Sequence, residues 1–334
     1  MATAGNDRSS PSVGVMQDAA PAQAFVAHAQ PGAADTAVAS DEPFRELFES
    51  IDEGVATLEV LFDENDRAID YRFLAVNRAY HAVSGMGGEV VGKRVSEVLP
   101  DIDPSVIQRM GKVALSGEPS RFEDFIHPLH RWFEIYLSRF GDPESRTVIV
   151  VFRDITKRKQ QERLQVFLLS LSDALRPLVD PQTIQVMAAN LLGEHLQVNQ
   201  ANYGEVWGEY VHISHSYAKG SPPIVGALRA EDFGKRLVDG HRAGRLQVCA
   251  DTTSDPLFDD QERKTMLAAH IGAYIAVPLV KAGVWVGLLS VLSILPRDWA
   301  PTEVETVQEV AERTWAAVER TRAERALRSS VRID

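Results

Sequence analysis

Few residues of this chain have the type and spacing that metal chemistry requires. His212 and His215 lie three residues apart in a segment that the pattern predicts to be a strand. Since successive side chains of a strand point to alternate faces, this spacing predicts that the two imidazoles point to opposite faces and do not hold one ion. His215 is predicted to share its face with Ile213 and Tyr217, which favours a structural role. The sequence therefore predicts no metal site.

Nucleophilic and acid–base chemistry finds equally little support. Cys249, the single cysteine, lies in a predicted strand, and a buried free cysteine usually behaves as a small hydrophobic residue. One cysteine cannot form a disulfide within the chain, which fits a reducing compartment and leads us to expect a cytoplasmic protein. Asp239, Asp259 and Asp260 fall in predicted loops, where aspartate commonly forms turns. We therefore predict no catalytic residues.

Aromatic and polar side chains on the predicted inner surfaces are better candidates for contacts with a small molecule, although plain core packing explains the same residue types. In the first half of the chain these candidates are Phe73, Phe125, Trp132 and Tyr136. In the second half they are Tyr217, Phe233, Asp251 and Trp285. The sequence leaves the ligand and any cofactor unknown.

Length, composition and charge limit the class of protein. The 334 residues, 45% of them hydrophobic, suffice for two domains of ordinary size. The net charge is −12 and no cluster of Lys and Arg stands out, which argues against nucleic acid as a partner. Residues 1–40 carry few large apolar side chains and are predicted to be a disordered tail. The most apolar stretch, residues 271–296, is interrupted by a proline and a lysine–glycine turn, so we predict two strands and no membrane span.

The first half of the chain shows strand, short-helix and strand patterns in that order. Asn77 is predicted to cap a short helix that ends at Gly85, because an asparagine side chain can accept an N–H bond at a helix start. Asp103 and Pro104 are predicted to open a longer helix. The remaining predicted elements are a helix over residues 44–51 and strands over residues 55–62, 68–76, 121–126, 132–140 and 147–153.

The second half combines strands with flanking helices. Thr302 and Glu305 are predicted to form a capping box at the start of a long last helix. Residues 218–244 read as a loop rich in glycine and proline at its start. The other predicted elements are helices from residue 180 to 195 and up to residue 270, and strands over residues 201–207, 210–217, 245–250, 273–280 and 284–294.

Five leucines between the two halves are spaced alternately four and three residues apart. This spacing is typical of an amphipathic helix and also of a short coiled coil. It leaves two interpretations open, a helix laid on one domain or the seam of a parallel dimer. The residues are Leu164, Leu168, Leu171, Leu175 and Leu178.

The first half resembles the PAS family. The matching stretches are FRELFESIDEGVATLEV, FLAVNRAYHAVSG, VGKRVSEVLP and VVFRDITKRK. The resemblance implies a five-stranded antiparallel sheet whose helices cover one face and enclose a pocket. It also implies that Asp154, Ile155 and Thr156 transmit a signal from the sheet to the outgoing helix, although ending a strand and capping a helix would account for the same residues.

The second half resembles the GAF family, through YIAVPLVKAGVWVGLLSVLSILPRDWAPTEVETVQEVAERTWAAVER and, less specifically, VCADTTSDPLFDDQER. The fold class expected is therefore α+β, with two antiparallel-sheet sensory domains joined by a long helix and followed by a long C-terminal helix. The residue patterns of flavin-, bilin- and cyclic-nucleotide-binding members are not evident. The domains expected are a tail over 1–40, a PAS-like domain over 41–156, a connector over 157–180, a GAF-like domain over 181–322 and a C-terminal end over 323–334.

The order PAS then GAF resembles the sensory input half of bacterial sensor histidine kinases. None of the nine histidines lies in a phosphoacceptor box, no Asp-x-Gly-x-Gly loop occurs, and the residues after the last helix are too few for an ATP-binding domain. We therefore expect no enzyme in this chain but a cytoplasmic module of two-component signalling, which binds a small ligand or partner and transmits the change through helices. The alternative is a truncated or degenerate histidine kinase of a phosphorelay. The expected partners are a second copy of the chain and a histidine kinase or response regulator.

Overall fold

The computed structural model describes residues 41–330, so the predicted tail over residues 1–40 lies outside the described residues. The chain divides into two compact units, and the boundary in the sequence lies between Lys159 and Gln160. Within the described part of the chain, no helix has the length and apolar character needed to cross a membrane.

The first unit is built on a five-stranded antiparallel sheet with the strand order β2-β1-β5-β4-β3. Its strands are β1 (Gly54–Phe62), β2 (Ala68–Val76), β3 (Ser120–Ile126), β4 (Arg131–Arg139) and β5 (Thr147–Asp154). Its helices are α1 (Asp41–Ser50), α2 (Tyr80–Ser84), α3 (Val95–Val98) and α4 (Pro104–Ser116), and α5 (Thr156–Leu175) leaves the sheet after β5.

Both faces of this sheet are covered. Helices α2 to α4 pack on one face and form the main core of the unit with β1, β2, β4 and β5. Helix α1 lies on the other face, where Phe48 packs against Val55, Ile149 and Val151. As predicted, Asp103 caps α4 by accepting a bond from the N–H of Ser105. Because apolar side chains occupy both faces, strict alternation of polar and apolar residues is not expected in these strands.

Asn77 does not cap α2, contrary to the sequence prediction. The residue at the cap position is Ala79, which makes no side-chain cap bond. Asn77 is buried instead, and its Oδ1 accepts a bond of 2.9 Å from the N–H of Val55. Its Nδ2 donates to the carbonyl oxygens of Ile51 and Glu53. The side chain therefore ties the end of β2 to the segment that enters β1, which satisfies more buried groups than a helix cap would.

The second unit has a six-stranded antiparallel sheet with the order β8-β7-β6-β11-β10-β9. Its strands are β6 (Gln200–Trp207), β7 (Tyr210–Ala218), β8 (Gly226–Arg229), β9 (Gln247–Cys249), β10 (Ala273–Lys281) and β11 (Val284–Ser293). Its helices, besides most of α5, are α6 (Pro181–Leu196), α7 (Lys235–Arg242), α8 (Asp260–Ala268) and α9 (Pro301–Ser330). Helices α5, α6 and α9 cover one face of the sheet, and α7 and α8 cover the other.

Two predictions for this unit are wrong in detail. Strand β8 and helix α7 fall in the segment predicted as a loop; α7 is eight residues long and has few apolar positions, so its pattern was too short to recognise. The last helix begins at Pro301, and Glu303 Oε2 accepts the N–H of Ala300 at 2.9 Å. Thr302 therefore lies inside the first turn and not at the cap, because proline favours the first helical position.

A β-bulge changes the predicted geometry of the two histidines. Between Asn202 and Gly204 the pairing of β6 with β7 shifts by one residue. The extra residue in β7 brings both imidazoles to the face covered by α6, where His212 stacks on Trp207 at 4.7 Å and His215 Nε2 lies 3.3 Å from Oδ1 of Asn190. The prediction of opposite faces is therefore wrong, since it assumed unbroken alternation. Among residues 41–330, no group of three or more His, Cys, Asp or Glu could hold a metal ion.

The leucines of the connecting helix face the core of the second unit. Leu164, Leu168, Leu171 and Leu175 are buried against α6 and α9, and α5 ends before Leu178, which is partly buried against the same core. This burial favours the first of the two interpretations, a helix laid on one domain. A dimer seam at these five positions remains a prediction.

Candidate functional site

The second unit encloses an apolar cavity between its sheet and helices α7 and α8. The volume is about 100 Å³. Strands β6, β7, β10 and β11 form its floor, while α7, α8 and the segment before them form its cover. Its walls comprise Asn202, Val211, Ile213, Ile224, Leu228, Ala230, Phe233, Leu237, Val238, His241, Met266, Ile271, Tyr274, Ala276, Trp285, Leu288, Ser290 and Leu292.

Two buried polar atoms of this cavity wall have no hydrogen-bond partner in the protein. One is Oδ1 of Asn202 on β6, and the other is Nε2 of His241 on α7. Both residues are 2% exposed. Buried polar atoms are nearly always paired, so two unpaired atoms at one cavity indicate a place where a bound molecule can supply the missing bonds.

Burial also sets the protonation state of His241. Desolvation lowers the pKa of its imidazole from 6.5 to about 4, because the interior disfavours the charged form. The ring is therefore neutral near pH 7. It lies 5.4 Å from the ring of Trp285, whose Nε1 is already occupied by a bond to the carbonyl of Gly287.

The backbone around α7 holds His241 in place. Gln247 Nε2 donates to the carbonyl of Leu237 at 3.1 Å, and the N–H of Arg245 donates to the carbonyl of Gly240. These bonds connect the carbonyls of two residues within α7 to the start of β9 and to the segment before it. A short helix of this kind depends on such tertiary bonds, since eight residues are too few for stability in isolation.

The first unit encloses a second apolar cavity of about 80 Å³ between its sheet and α2 to α4. Its polar atoms are better satisfied, since Tyr80 Oη donates to Sδ of Met86 at 3.4 Å. Phe73, Tyr80 and Phe152 pack edge to face along the wall. This cavity is therefore a weaker candidate for a binding site than the one in the second unit.

The comparisons with known proteins agree with the two folds. The family model described as a PAS fold matches residues 68–160, and the model described as a GAF domain matches residues 180–318. This chain carries a PAS fold followed by a GAF domain. The first compact unit is accordingly the PAS unit and the second is the GAF unit. No protein of curated function matches the chain.

Several solved structures are similar to parts of the chain. The blue-light-absorbing form of the GAF domain of PixJ from Thermosynechococcus elongatus is 18% identical, with a TM-score of 0.40, and the match covers 45% of this chain and 91% of that one. Free methionine-R-sulfoxide reductase from Neisseria meningitidis is 16% identical, with a TM-score of 0.41, and the match covers 48% and 91%. The chromophore-binding domain of a bacteriophytochrome from R. palustris is 12% identical, with a TM-score of 0.43, and the match covers 81% and 94%.

The structure places two of the four predicted pocket residues of the GAF unit at its cavity. Phe233 and Trp285 line it. Tyr217 points to the opposite face of the sheet, where it packs beside Gly193 of α6. Asp251 lies in the loop after β9 and accepts bonds from Thr253 and Ser254, which lower the pKa of its carboxyl group. Contact between any of these residues and a ligand remains a prediction.

In the PAS unit only Phe73 of the four predicted residues lines the cavity. Phe125 and Trp132 pack against each other on the opposite face of the sheet, with ring centroids 5.6 Å apart. Tyr136 packs with the apolar cluster beneath α1. The cavity-lining residues of β4 are Phe133 and Ile135, which alternate with Trp132 and Tyr136 along the strand.

The predicted triplet at the end of β5 is bonded to β4 and starts α5. The N–H of Ile155 donates to the carbonyl of Trp132, and the N–H of Trp132 donates to Oγ1 of Thr156. Asp154 Oδ1 accepts the N–H of Thr156 at 2.8 Å. Its Oδ2 lies 3.2 Å from Arg131, whose guanidinium also donates to the carbonyl of Val83 in α2.

Sequence reasoning missed the two residues with unpaired atoms, Asn202 and His241. A signal for Asn202 exists, since Gln200 and Asn202 are strongly polar side chains that alternate with the apolar Ala201 and Tyr203 in the run QANYGEVW. His241 gave no such signal, because its helix was predicted as a loop. Cys249 lies near this cavity, in the apolar cluster that includes Met266 and Tyr274. Burial raises the pKa of its thiol to about 12, so the thiol stays protonated and reacts weakly.

Proposed function

We propose that the chain is a cytoplasmic sensory module. In this module, a small molecule bound in the GAF cavity changes the packing of the helices on the opposite face of the sheet. The observation that carries the proposal is the apolar cavity with two unpaired buried atoms, Asn202 Oδ1 and His241 Nε2. Apolar cavities with a few converging polar groups are the usual form of a small-molecule site. The combination of PAS and GAF domains supports a role in signalling.

The same strands form the cavity floor and support the helices. On β6, Asn202 faces the cavity, whereas its neighbours Ala201 and Tyr203 pack into the core with α6 and α9. On β10, Ala276 faces the cavity and Ile275 faces that core. A ligand that shifts these strands would therefore alter the packing of α9, because close-packed interiors transmit displacement.

The PAS unit offers a parallel route to α5. Arg131 joins the end of α2 to Asp154, and Asp154 bonds the N–H of Thr156 at the start of α5. Glu123 of β3 adds ion pairs to Lys159 and Arg158, which lower the pKa of its carboxyl group. The start of α5 is thus fixed to two strands and, through Arg131, to a wall of the PAS cavity. We propose that movement of that wall reaches α5 by these contacts.

The output in this proposal is a histidine kinase or a response regulator of a two-component system, reached through a homodimer of the chain. With the leucine stripe of α5 buried, the apolar side chains of α5 left for a dimer contact are Val166 and Leu169, each 65% exposed. The double change Val166→Glu and Leu169→Glu is expected to reduce the dimer fraction in light scattering. A dimer of unchanged strength would remove this surface from the proposal.

Small apolar probes test whether the cavity is a sensory site. Methyl resonances of Ile213 and Leu288 should shift on addition of toluene or phenol to the full chain, and hydrogen exchange in α9 should change at the same probe concentrations. Ala276→Leu, which fills the GAF cavity, should abolish both effects. The matched control Ala56→Leu fills the PAS cavity and should leave them intact.

Two results would contradict the proposal. The first is that neither probe shifts any methyl group of the cavity. The second is that a probe binds without any change of exchange in α9 or α5, since the cavity would then be uncoupled from the helices.

A further inference from the structure

The chemistry of the GAF cavity wall restricts the charge of a ligand. None of its described lining residues is Asp, Glu, Lys or Arg. The titratable side chains that face it are His241 on α7 and Tyr274 on β10, and burial keeps both neutral by lowering the pKa of the imidazole and raising that of the phenol. A charged ligand would lose its hydration without gaining a counter-charge, so the cavity suits an uncharged molecule.

The unpaired atoms restrict the hydrogen-bonding character of the ligand. Oδ1 of Asn202 is a carbonyl oxygen and only accepts hydrogen bonds. A molecule that pairs it must therefore carry an O–H or N–H donor. Nε2 of the neutral His241 ring accepts or donates according to its tautomer, so it can complete a second bond to the same polar group. The hydroxyl-bearing Ser290 pairs with Asn202 in the sheet and lines the same wall.

The volume of the cavity restricts the size of the ligand. An engineered apolar cavity of about 150 Å³ is known to admit benzene. The GAF cavity, at about 100 Å³, has about two thirds of that volume, and the aromatic rings of Trp285 and Tyr274 line it. A molecule of about one small ring is therefore the upper limit of size, and it enters only with some displacement of the walls.

We infer that the GAF cavity selects an uncharged molecule of about one ring that carries an O–H or N–H donor, with Asn202 and His241 as the polar contacts. The inference rests on the proposed function and goes further by fixing the chemical class of the ligand. Selectivity arises because a molecule without a donor leaves Asn202 Oδ1 buried and unpaired, which weakens its binding.

Matched probes test the inference on the full chain. Phenol and toluene have nearly the same shape, but phenol carries a hydroxyl group where toluene carries a methyl group. Benzoate carries a negatively charged carboxylate at the same position. In titrations followed by methyl resonances of the cavity, phenol is expected to bind about tenfold tighter than toluene, from the energy of one paired buried group. Benzoate is expected not to bind at pH 7, because the wall carries no cation.

The Asn202→Leu variant identifies the group that makes the selection. It should bind toluene at least as tightly as the unmodified chain does and should lose the preference for phenol. His241→Leu gives a second, independent variant with the same expected direction should Asn202→Leu not fold. The comparison of the probes on the unmodified chain needs neither variant.

The outcomes separate this inference from the proposed function. Equal binding of toluene and phenol would overturn the inference and leave the ligand-binding function intact, as would a phenol preference that persists in both variants. Failure of both probes to enter the cavity would overturn the proposed function together with the inference. Tight binding of benzoate would also overturn the inference, because it would require a charge partner that the wall lacks.

Discussion

The backbone N–H of Trp132 donates a hydrogen bond of 2.9 Å to Oγ1 of Thr156. This bond joins the second residue of β4 to the first residue of α5, and the N–H of Ile155 returns a bond of 2.8 Å to the carbonyl of Trp132. The helix that leaves the PAS sheet is therefore held at its first turn by a neighbouring strand as well as by the strand that precedes it.

Replacement of Thr156 should loosen this junction. Thr156→Val removes the acceptor of the Trp132 N–H while keeping the side-chain shape, and is expected to cost about 1 kcal/mol of local stability. Hydrogen exchange of the Trp132 amide and of the first turn of α5 should become faster. Thr156→Ser keeps the hydroxyl group and is the control. If both variants exchange alike, the hydroxyl does not hold the junction.

Leu171 should behave as a core residue of the GAF unit. It is fully buried in the chain, so Leu171→Ala is expected to lower the free energy of unfolding by about 2–5 kcal/mol. The control is Gln161→Ala, at an exposed position of the same helix that lies outside the proposed dimer surface, with an effect within about 0.5 kcal/mol. Urea unfolding should give these values at every protein concentration. A loss for Leu171→Ala that depends on concentration would instead place this side chain in a dimer contact.

The stability of the GAF unit should fall in mild acid because of His241. Its pKa is about 4 in the folded unit, against 6.5 for a free imidazole. The unfolded chain therefore binds a proton first, and the free energy of unfolding decreases as the pH falls from about 6.5 towards 4, by about 3 kcal/mol in total. The contribution of the neutral His241 to the free energy of unfolding is fully present above about pH 6.5. Burial lowers the pKa of His195 as well, which adds a change of the same sign.

The His241→Leu variant isolates this contribution. Urea unfolding between pH 4.5 and 7 should show a smaller slope against pH for the variant, with the remainder due to His195 and, at the acid end, to carboxyl groups of lowered pKa such as Asp180 and Asp251. His130→Gln removes an exposed histidine of the PAS unit and should leave the slope for the GAF unit unchanged. An unchanged slope in His241→Leu would mean that the imidazole takes up its proton in the folded unit.

Gly193 should resist replacement even by alanine. A Cβ atom at this position of α6 would clash with the ring of Tyr217. Glycine to alanine usually stabilises a helix by about 1 kcal/mol, but here overpacking is expected to give a net loss of about 1–3 kcal/mol. In a Tyr217→Ala background the same change should become stabilising. A double-mutant cycle on unfolding free energies measures this reversal, and additive effects would show that the ring moves aside freely.

Local sequence patterns were sufficient where one residue decides a boundary. Asp103 and Pro104 specify the start of α4 through a side-chain cap and a fixed backbone angle. Gly85 ends α2 with a left-handed φ of 73°, which glycine adopts without strain. The two folds themselves followed from longer motifs, and the family comparisons confirm their order.

The candidate site depended on information that local patterns do not contain. Strand β4 reads RWFEIYLSR, with aromatic or aliphatic side chains on both faces, so alternation alone does not show whether Trp132 or Phe133 faces the cavity. The β-bulge opposite Tyr203 shifts the face of His215 through the register of β7 against β6, which the residues around His215 do not reveal. His241 reaches the cavity because tertiary bonds hold α7, and its sequence neighbours give no sign of this.

Cys249 makes the GAF unit traceable by thiol chemistry. It is the chain's single cysteine and is 1% exposed, with its thiol held protonated by burial. A maleimide or Ellman's reagent therefore meets a reactive sulfur only when this part of the GAF unit opens. The labelling rate of the unaltered protein then reports how often that opening occurs, and a molecule that stabilises the closed cavity would slow the labelling without any engineered probe.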